Sequence, residues 1–200
     1  MKVLVTGFEP FGGEEINPSW EAVSGLPDEI GGAEIVKHQL PVTFNGVRRI
    51  LPRLIVGERP EVVILTGQAG GRPNITVERV AINVMDSKTP DNEGFAPEDE
   101  PVFEDAPAAY FATLPIKTIV RALRGAKIPA GVSNTAGTYV CNAAMFTALH
   151  TIAVAGMETR SGFIHVPFSH EQALEKPRPS MAVETIRKAI EVAIETSLRG

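Results

Sequence analysis

Three segments carry side chains whose types and settings suit nucleophilic chemistry. The first is Ser133-Asn134-Thr135-Ala136-Gly137-Thr138-Tyr139-Val140-Cys141-Asn142. A short strand pattern ends there in a small-residue turn, and a helical pattern begins near Cys141. A thiol at a helix N-terminus lies beside unpaired backbone N–H groups and the positive end of the helix dipole. Both favour thiolate, so the expectation is a lowered pKa and a usable nucleophile. The N–H groups of Cys141 and Asn142 could also receive the oxyanion formed when that sulfur attacks a carbonyl. A lone cysteine is more commonly a buried structural residue. This segment alone does not decide between the two.

The second segment is Ser161-Gly162-Phe163-Ile164-His165-Val166-Pro167-Phe168. A histidine at the carboxyl end of an apolar strand, stopped by Pro167, lies where α/β sheets present their sites. It could serve a thiol as general base and then a leaving amine as general acid. A core histidine satisfied by a backbone carbonyl is the plainer alternative. Of the other histidines, His38 falls on a strand, His150 inside a helix, and His170 at the opening of one. His165 and His170 could form a metal pair, but no carboxylate stands at a recognisable ligand spacing, so no metal is expected.

The third runs from Gly67-Gln68-Ala69-Gly70-Gly71-Arg72 through Glu78 to Asn83. Its glycine turn resembles a phosphate loop at first sight. It lacks the dinucleotide-fingerprint spacing, and no Gly-Lys-Ser/Thr follows. A phosphate- or nucleoside-handling protein built on this turn is therefore a weaker alternative, and a non-enzymatic scaffold a third. Ile75, Val77, Val80 and Ile82 frame Glu78 in an apolar, strand-like setting. A carboxylate there needs a partner, because an unpaired buried charge is costly. Arg79 is one candidate, although it points to the opposite face of a strand. A histidine N–H is the other, and would make Glu78 the orienting member of a nucleophile–base–orienter set.

The elements that must position these residues alternate along the chain. Lys2–Thr6, Glu34–Leu40, Val62–Thr66, Gly131–Ser133 and Phe163–Val166 read as short apolar or β-branched strands. Ser19–Ser24, Phe44–Val56, Ile116–Arg124, Cys141–Ala155 and Ser180–Leu198 read as helices. Pro52 lies inside the second helix, so a kink or a later start is expected there. Buried strands alternating with amphipathic helices predict an α/β protein with helices on both faces of a mainly parallel sheet. No internal repeat or linker divides the 200 residues, so one domain over 1–200 is expected.

Composition narrows the classes. Nineteen Lys+Arg against 24 Asp+Glu give a net charge of -5, which argues against a basic nucleic-acid face. The single cysteine excludes an internal disulfide and multi-cysteine zinc sites, and points to a reducing compartment. The apolar stretch at Met1–Thr6 is too short for a signal core, and Ala143–Ala155 is too short for a membrane span. A soluble, cytoplasmic protein is the expectation. Residues 86–107 stand apart, with eight acidic side chains, one lysine and four prolines. A solvated surface loop is the first reading, and a lid or binding loop the second.

Together these segments resemble pyroglutamyl peptidase type I (pyrrolidone-carboxylate peptidase), a cysteine peptidase family. The resemblance is carried by Gly7-Phe8-Glu9-Pro10-Phe11-Gly12-Gly13, Asn17-Pro18-Ser19-Trp20-Glu21-Ala22-Val23, Gly67–Asn83, Pro90-Asp91-Asn92-Glu93-Gly94, Ser133–Asn142 and Gly162–Pro167. These run in the family's order over almost the whole chain. The resemblance implies a three-layer α/β/α sandwich and a triad of Cys141 as nucleophile, His165 as base and acid, and Glu78 as its orienter. It implies removal of an N-terminal pyroglutamyl residue through a thioester, without metal or cofactor, by a cytoplasmic homo-oligomer, often a tetramer. Phe8, Phe11, Gln68 and Tyr139 would form the pocket for the neutral lactam.

Two positions depart from the family pattern. Lys88 stands where many relatives carry an arginine proposed to help hold the oxyanion, and lysine lacks the fork needed for bidentate contact. Tyr139 stands where many carry phenylalanine. Its hydroxyl needs a partner if buried, or could reach the lactam edge.

Overall fold

The strand-like apolar runs assemble into one seven-stranded sheet in the computed structural model, which describes residues 1–175 and 177–199. The strands are β1 (Lys2–Phe8), β2 (Glu29–Ile30), β3 (Ala33–Leu40), β4 (Val62–Gln68), β5 (Ile75–Glu78), β8 (Ala130–Ser133) and β9 (Arg160–Val166). Their order is β2-β3-β1-β4-β9-β5-β8. β1 pairs in parallel with β3 and β4, β4 with β9, and β5 with β8, while β2–β3 and β5–β9 are antiparallel. All seven residues of β4 are buried, as a strand covered on both faces requires.

Helices cover both faces. Ala22 and Val23 of α1 (Pro18–Ser24), Ile119 and Leu123 of α3 (Ile116–Gly125), and Ile186, Ile190 and Ile194 of α5 (Val183–Leu198) close one apolar layer over Val3, Val5, Ile64, Val77 and Ile164. On the other face, α2 (Phe44–Glu58) and α4 (Val140–Val154) pack over Leu4, Val63, Leu65 and Phe163. This is the three-layer α/β/α sandwich with a mostly parallel sheet expected from the sequence. The buried residues of α4 lie all round it, so it sits inside the layer rather than on it. Among the described residues no helix is long and apolar enough to cross a membrane.

Some local expectations change. α2 runs unbroken through Pro52 from Phe44 to Glu58 and neither starts late nor stops there. Its buried stripe of Phe44, Val47, Leu51 and Ile55 keeps it seated where the proline removes one backbone hydrogen bond. α5 starts at Val183 rather than Ser180, because the chain is still extended there. Ser180 bridges to Phe168, and the Met181 N–H donates to the Phe168 carbonyl at 2.8 Å. A second, two-stranded sheet of β6 (Val80–Ile82) and β7 (Ala109–Phe111) was not expected.

The acidic segment is not simply solvated. Asp91, Pro97 and Val102 are buried within it. Asp91 accepts hydrogen bonds from the backbone of Phe44, Glu93 and Phe95 at 2.9–3.0 Å, which caps α2 and holds a tight turn.

Candidate active site

The site forms where the parallel β4–β9 pair meets antiparallel β5. Register places His165 opposite Gly67 on β4 and opposite Thr76 on β5. Side chains alternate along a strand, so Phe163, His165, Thr76, Glu78 and the bare Cα of Gly67 all face the layer that holds α4. Cys141 enters that layer on the first turn of α4. A Cβ built on Gly67 would lie 3.0 Å from Cys141 Sγ and 2.8 Å from Phe163 Cζ. Glycine at 67 is what lets the helix start settle against the strand ends.

Asn142 anchors that helix start. It is buried, accepts from the Ile82 N–H at 2.9 Å, and donates to the carbonyls of Ile82 and Val84 at 2.9 Å each. Tyr139, the N-cap residue, makes no side-chain capping bond, so the first-turn N–H groups lack an N-cap side-chain acceptor.

Glu78 is fully buried. Its Oε1 lies 2.7 Å from His165 Nδ1 and accepts from Arg72 at 2.7 Å. Burial alone would push this carboxyl up, but the hydrogen bonds and charges of His165, Ser133 and Arg72 outweigh it and hold it below the usual range. A carboxylate only accepts, so Nδ1 carries the proton and Nε2 is left with a lone pair. Burial lowers the His165 pKa and Arg72 adds to that, while Glu78 opposes both. The imidazole is therefore neutral at pH 7.

The thiol reverses the sequence expectation. Cys141 keeps some exposure at the cavity wall, yet protein crowds it on most sides. Burial, reinforced by the Glu78 charge, pushes it up to about 12 despite Arg72 nearby. Loss of hydration outweighs the helix N-terminus here.

A cavity of about 260 Å³ joins these groups. Cys141, His165, Phe8, Phe11, Gln68 and Tyr139 all line it, together with Arg72. Phe8 is fixed by Ser19 Oγ on its backbone N–H at 3.0 Å, and the Phe11 and Phe44 rings stand against Tyr139. The Tyr139 hydroxyl donates to the Pro90 carbonyl at 3.0 Å. Lys88 is exposed and does not line the cavity. Arg79 donates to Asn134 and takes no part in holding Glu78.

Arg72 was missed by the sequence reading. It donates to both Thr76 Oγ1 and Glu78 Oε1 at 2.7 Å. Its place six residues before Glu78, directly after a glycine turn, was the available signal.

A family model described as pyroglutamyl peptidase matches residues 1–200. The pyrrolidone-carboxylate peptidase of Thermococcus kodakarensis is 83% identical over 195 residues, covering 98% of this chain and 95% of that protein. That of Thermococcus onnurineus is 80% identical over the full length of both. Among solved structures, a mutant pyrrolidone carboxyl peptidase from the hyperthermophile Pyrococcus furiosus superposes with a TM-score of 0.96 at 45% identity, covering 100% of this chain and 99% of that one. Pyroglutamyl peptidase I from Bacillus amyloliquefaciens gives 0.95 at 46%, covering 98% and 94%.

Proposed function

The chain belongs to the pyroglutamyl peptidase family, a family of cysteine-type peptidases, and we propose that it removes N-terminal pyroglutamyl residues from peptides with Cys141, His165 and Glu78 as its catalytic set. The observation that carries this reading is the 2.7 Å contact from Glu78 Oε1 to His165 Nδ1 beside a cavity that Cys141 shares.

The chemistry follows from the protonation states. Neutral thiol and neutral imidazole face the substrate, so no thiolate waits in the resting site. His165 Nε2 takes the thiol proton as Sγ bonds to the scissile carbonyl carbon, and the carbonyl π electrons move onto oxygen. Backbone N–H groups of Cys141 and Asn142 at the start of α4 stabilise that oxyanion. Glu78 stabilises the imidazolium and keeps the ring in the right tautomer. The oxyanion collapses, the C–N bond breaks, and the amine departs with the proton from Nε2. A thioester remains. His165 then draws a proton from water, the hydroxyl oxygen attacks the thioester carbon, and sulfur leaves to regain its proton. Cys141, His165 and water account for every proton and electron pair.

The slot formed by Phe8, Phe11, Gln68 and Tyr139 takes the lactam. It suits a small neutral ring, because its wall is largely apolar and has few polar groups at the edge. A cytoplasmic, tetrameric enzyme completes the reading. The lone, unpaired cysteine and the family resemblance support it.

The test is release of a fluorogenic amine from a pyroglutamyl amide by wild type and Cys141→Ala, with an unblocked prolyl amide as control. Turnover restricted to the lactam and lost in the variant supports the assignment. No turnover by freshly reduced wild type overturns it.

A further inference from the structure

We propose that Gln172, on the short 3-10 turn Glu171–Ala173 after β9, is a positioning residue that decides which end of the Gln68 amide faces the cavity, so that the slot reads the ring carbonyl of a lactam. The inference rests on the pyroglutamyl reading and deepens it.

The two ends of a glutamine amide have nearly the same shape, so partners settle the orientation. For Gln172 the backbone settles it at both ends. Oε1 accepts the Ser169 backbone N–H at 3.0 Å, and a backbone N–H can only donate. Nε2 lies 3.4 Å from the Ile16 carbonyl, which can only accept. With that orientation, Nε2 donates to Gln68 Oε1 at 2.9 Å. The oxygen of Gln68 is thereby committed to Gln172, and its N–H₂ is left for the cavity that Gln68 lines at the end of β4.

That donor has a chemical meaning. A pyroglutamyl ring presents a carbonyl oxygen, an acceptor. A prolyl ring of the same size has a methylene there, and its free ring nitrogen is cationic. A buried N–H donor in an apolar slot satisfies the first and is left unpaired by the second, which is how a polar group rejects an analogue lacking its partner. Gln172 touches none of this directly. It acts through the direction in which it holds Gln68.

Gln172→Glu reverses the relay. At pH 8 the carboxylate still accepts from Ser169, but it can only accept from Gln68 as well. Gln68 then turns its nitrogen outward and its oxygen into the cavity, where it meets the lactam oxygen. Gln172→Leu removes the relay without adding charge. Both variants are compared with wild type, alone and in a Gln68→Met background. One readout is kcat and KM for a pyroglutamyl amide. A second needs no turnover, and is protection of Cys141 from iodoacetamide by 2-pyrrolidone.

The expected result is a KM increase of about 10- to 100-fold for Gln172→Glu with kcat nearly kept, and a matching loss of lactam protection. In the Gln68→Met background the same substitution changes either value less than about twofold, as expected for residues acting as a unit. Unchanged protection in both variants, or equal losses in both backgrounds, would overturn the relay. If wild type releases no amine, the peptidase reading falls, and the protection ratios still decide the role of Gln172.

Discussion

Glu78 meets His165 as a diagonal neighbour across antiparallel β5 and β9, not as the residue that faces it. The register pairs His165 with Thr76, and Glu78 reaches back along the same face to bring Oε1 within 2.7 Å of Nδ1. Thr76 fills the facing position and binds Arg72, whose guanidinium holds the same Glu78 oxygen. One carboxylate oxygen thus gathers an imidazole and a guanidinium. The carboxylate compensates a cation that would otherwise oppose protonation of His165.

Replacing that carboxylate therefore does more than remove a hydrogen bond. Glu78→Gln leaves Arg72 uncompensated beside an imidazole that becomes cationic in the proposed reaction. Turnover should fall about 10²- to 10⁴-fold with KM little changed. Stability shifts with a defined sign, since the folded carboxyl is held below its ordinary value near 4.5. The wild type's advantage in Tm is full above that range and shrinks as pH falls through the lowered pKa. Steady-state kinetics and melts of both proteins from pH 3 to 8 check both halves.

The thiol makes the second prediction. Burial and the Glu78 charge push Cys141 up to about 12, so thiolate is scarce throughout the neutral range. The logarithm of the iodoacetamide rate should rise with a slope near 1 from pH 7 to 10, without levelling. Turnover should instead reach its plateau once His165 is neutral, at a pH below 6.5. An alkylation plateau below pH 7 would mean a preformed thiolate–imidazolium pair and a different first step.

The sequence made the two ends of this proposed set legible and hid its middle. Cys141 and His165 could be placed because turn and proline signals mark where a helix starts and a strand stops. Glu78 stood out as a charge in an apolar frame. Its register with His165 was not visible, because β5 is four residues long and its pairing is long-range. For the same reason the three-residue strands β6 and β7 left no pattern to read. Asp91 was lost among the acidic residues around it, although it alone of those eight is buried. The thiol was misjudged because a helix N-terminus shows in a sequence and the crowding around it does not.

Gly67 gives the third prediction. An alanine there would place its Cβ 2.8 Å from Phe163 Cζ and 3.0 Å from Cys141 Sγ, both too close to stand. Phe163 is fully buried and has no room to retreat, so the strain falls on the start of α4. Gly67→Ala should lose about 1–3 kcal/mol of stability. Displacing the sulfur from the line of attack proposed for it should cost about 10²-fold in kcat. Denaturant unfolding and kinetics on the same preparation separate the two effects. Full activity would show that the sulfur is not held by this contact.

Tyr139→Phe tests what the extra hydroxyl does. Its oxygen donates to Pro90 at 3.0 Å, while its ring stacks edge-on to Phe44 with centroids 5.4 Å apart. Pro90 precedes Asp91, which binds the start of α2, and Asn92, which binds Glu9 and the Pro10 carbonyl. The hydroxyl is thus one of several ties that hold the acidic segment to the rim of the slot, and it points at that segment. Removing it should cost about 0.5–1.5 kcal/mol, or roughly 1–6 °C in Tm. Amide exchange should quicken at residues 91–95. KM for a pyroglutamyl amide should stay within about threefold, because the ring that lines the slot is kept. A KM rise above tenfold at unchanged Tm would instead place the hydroxyl on the lactam.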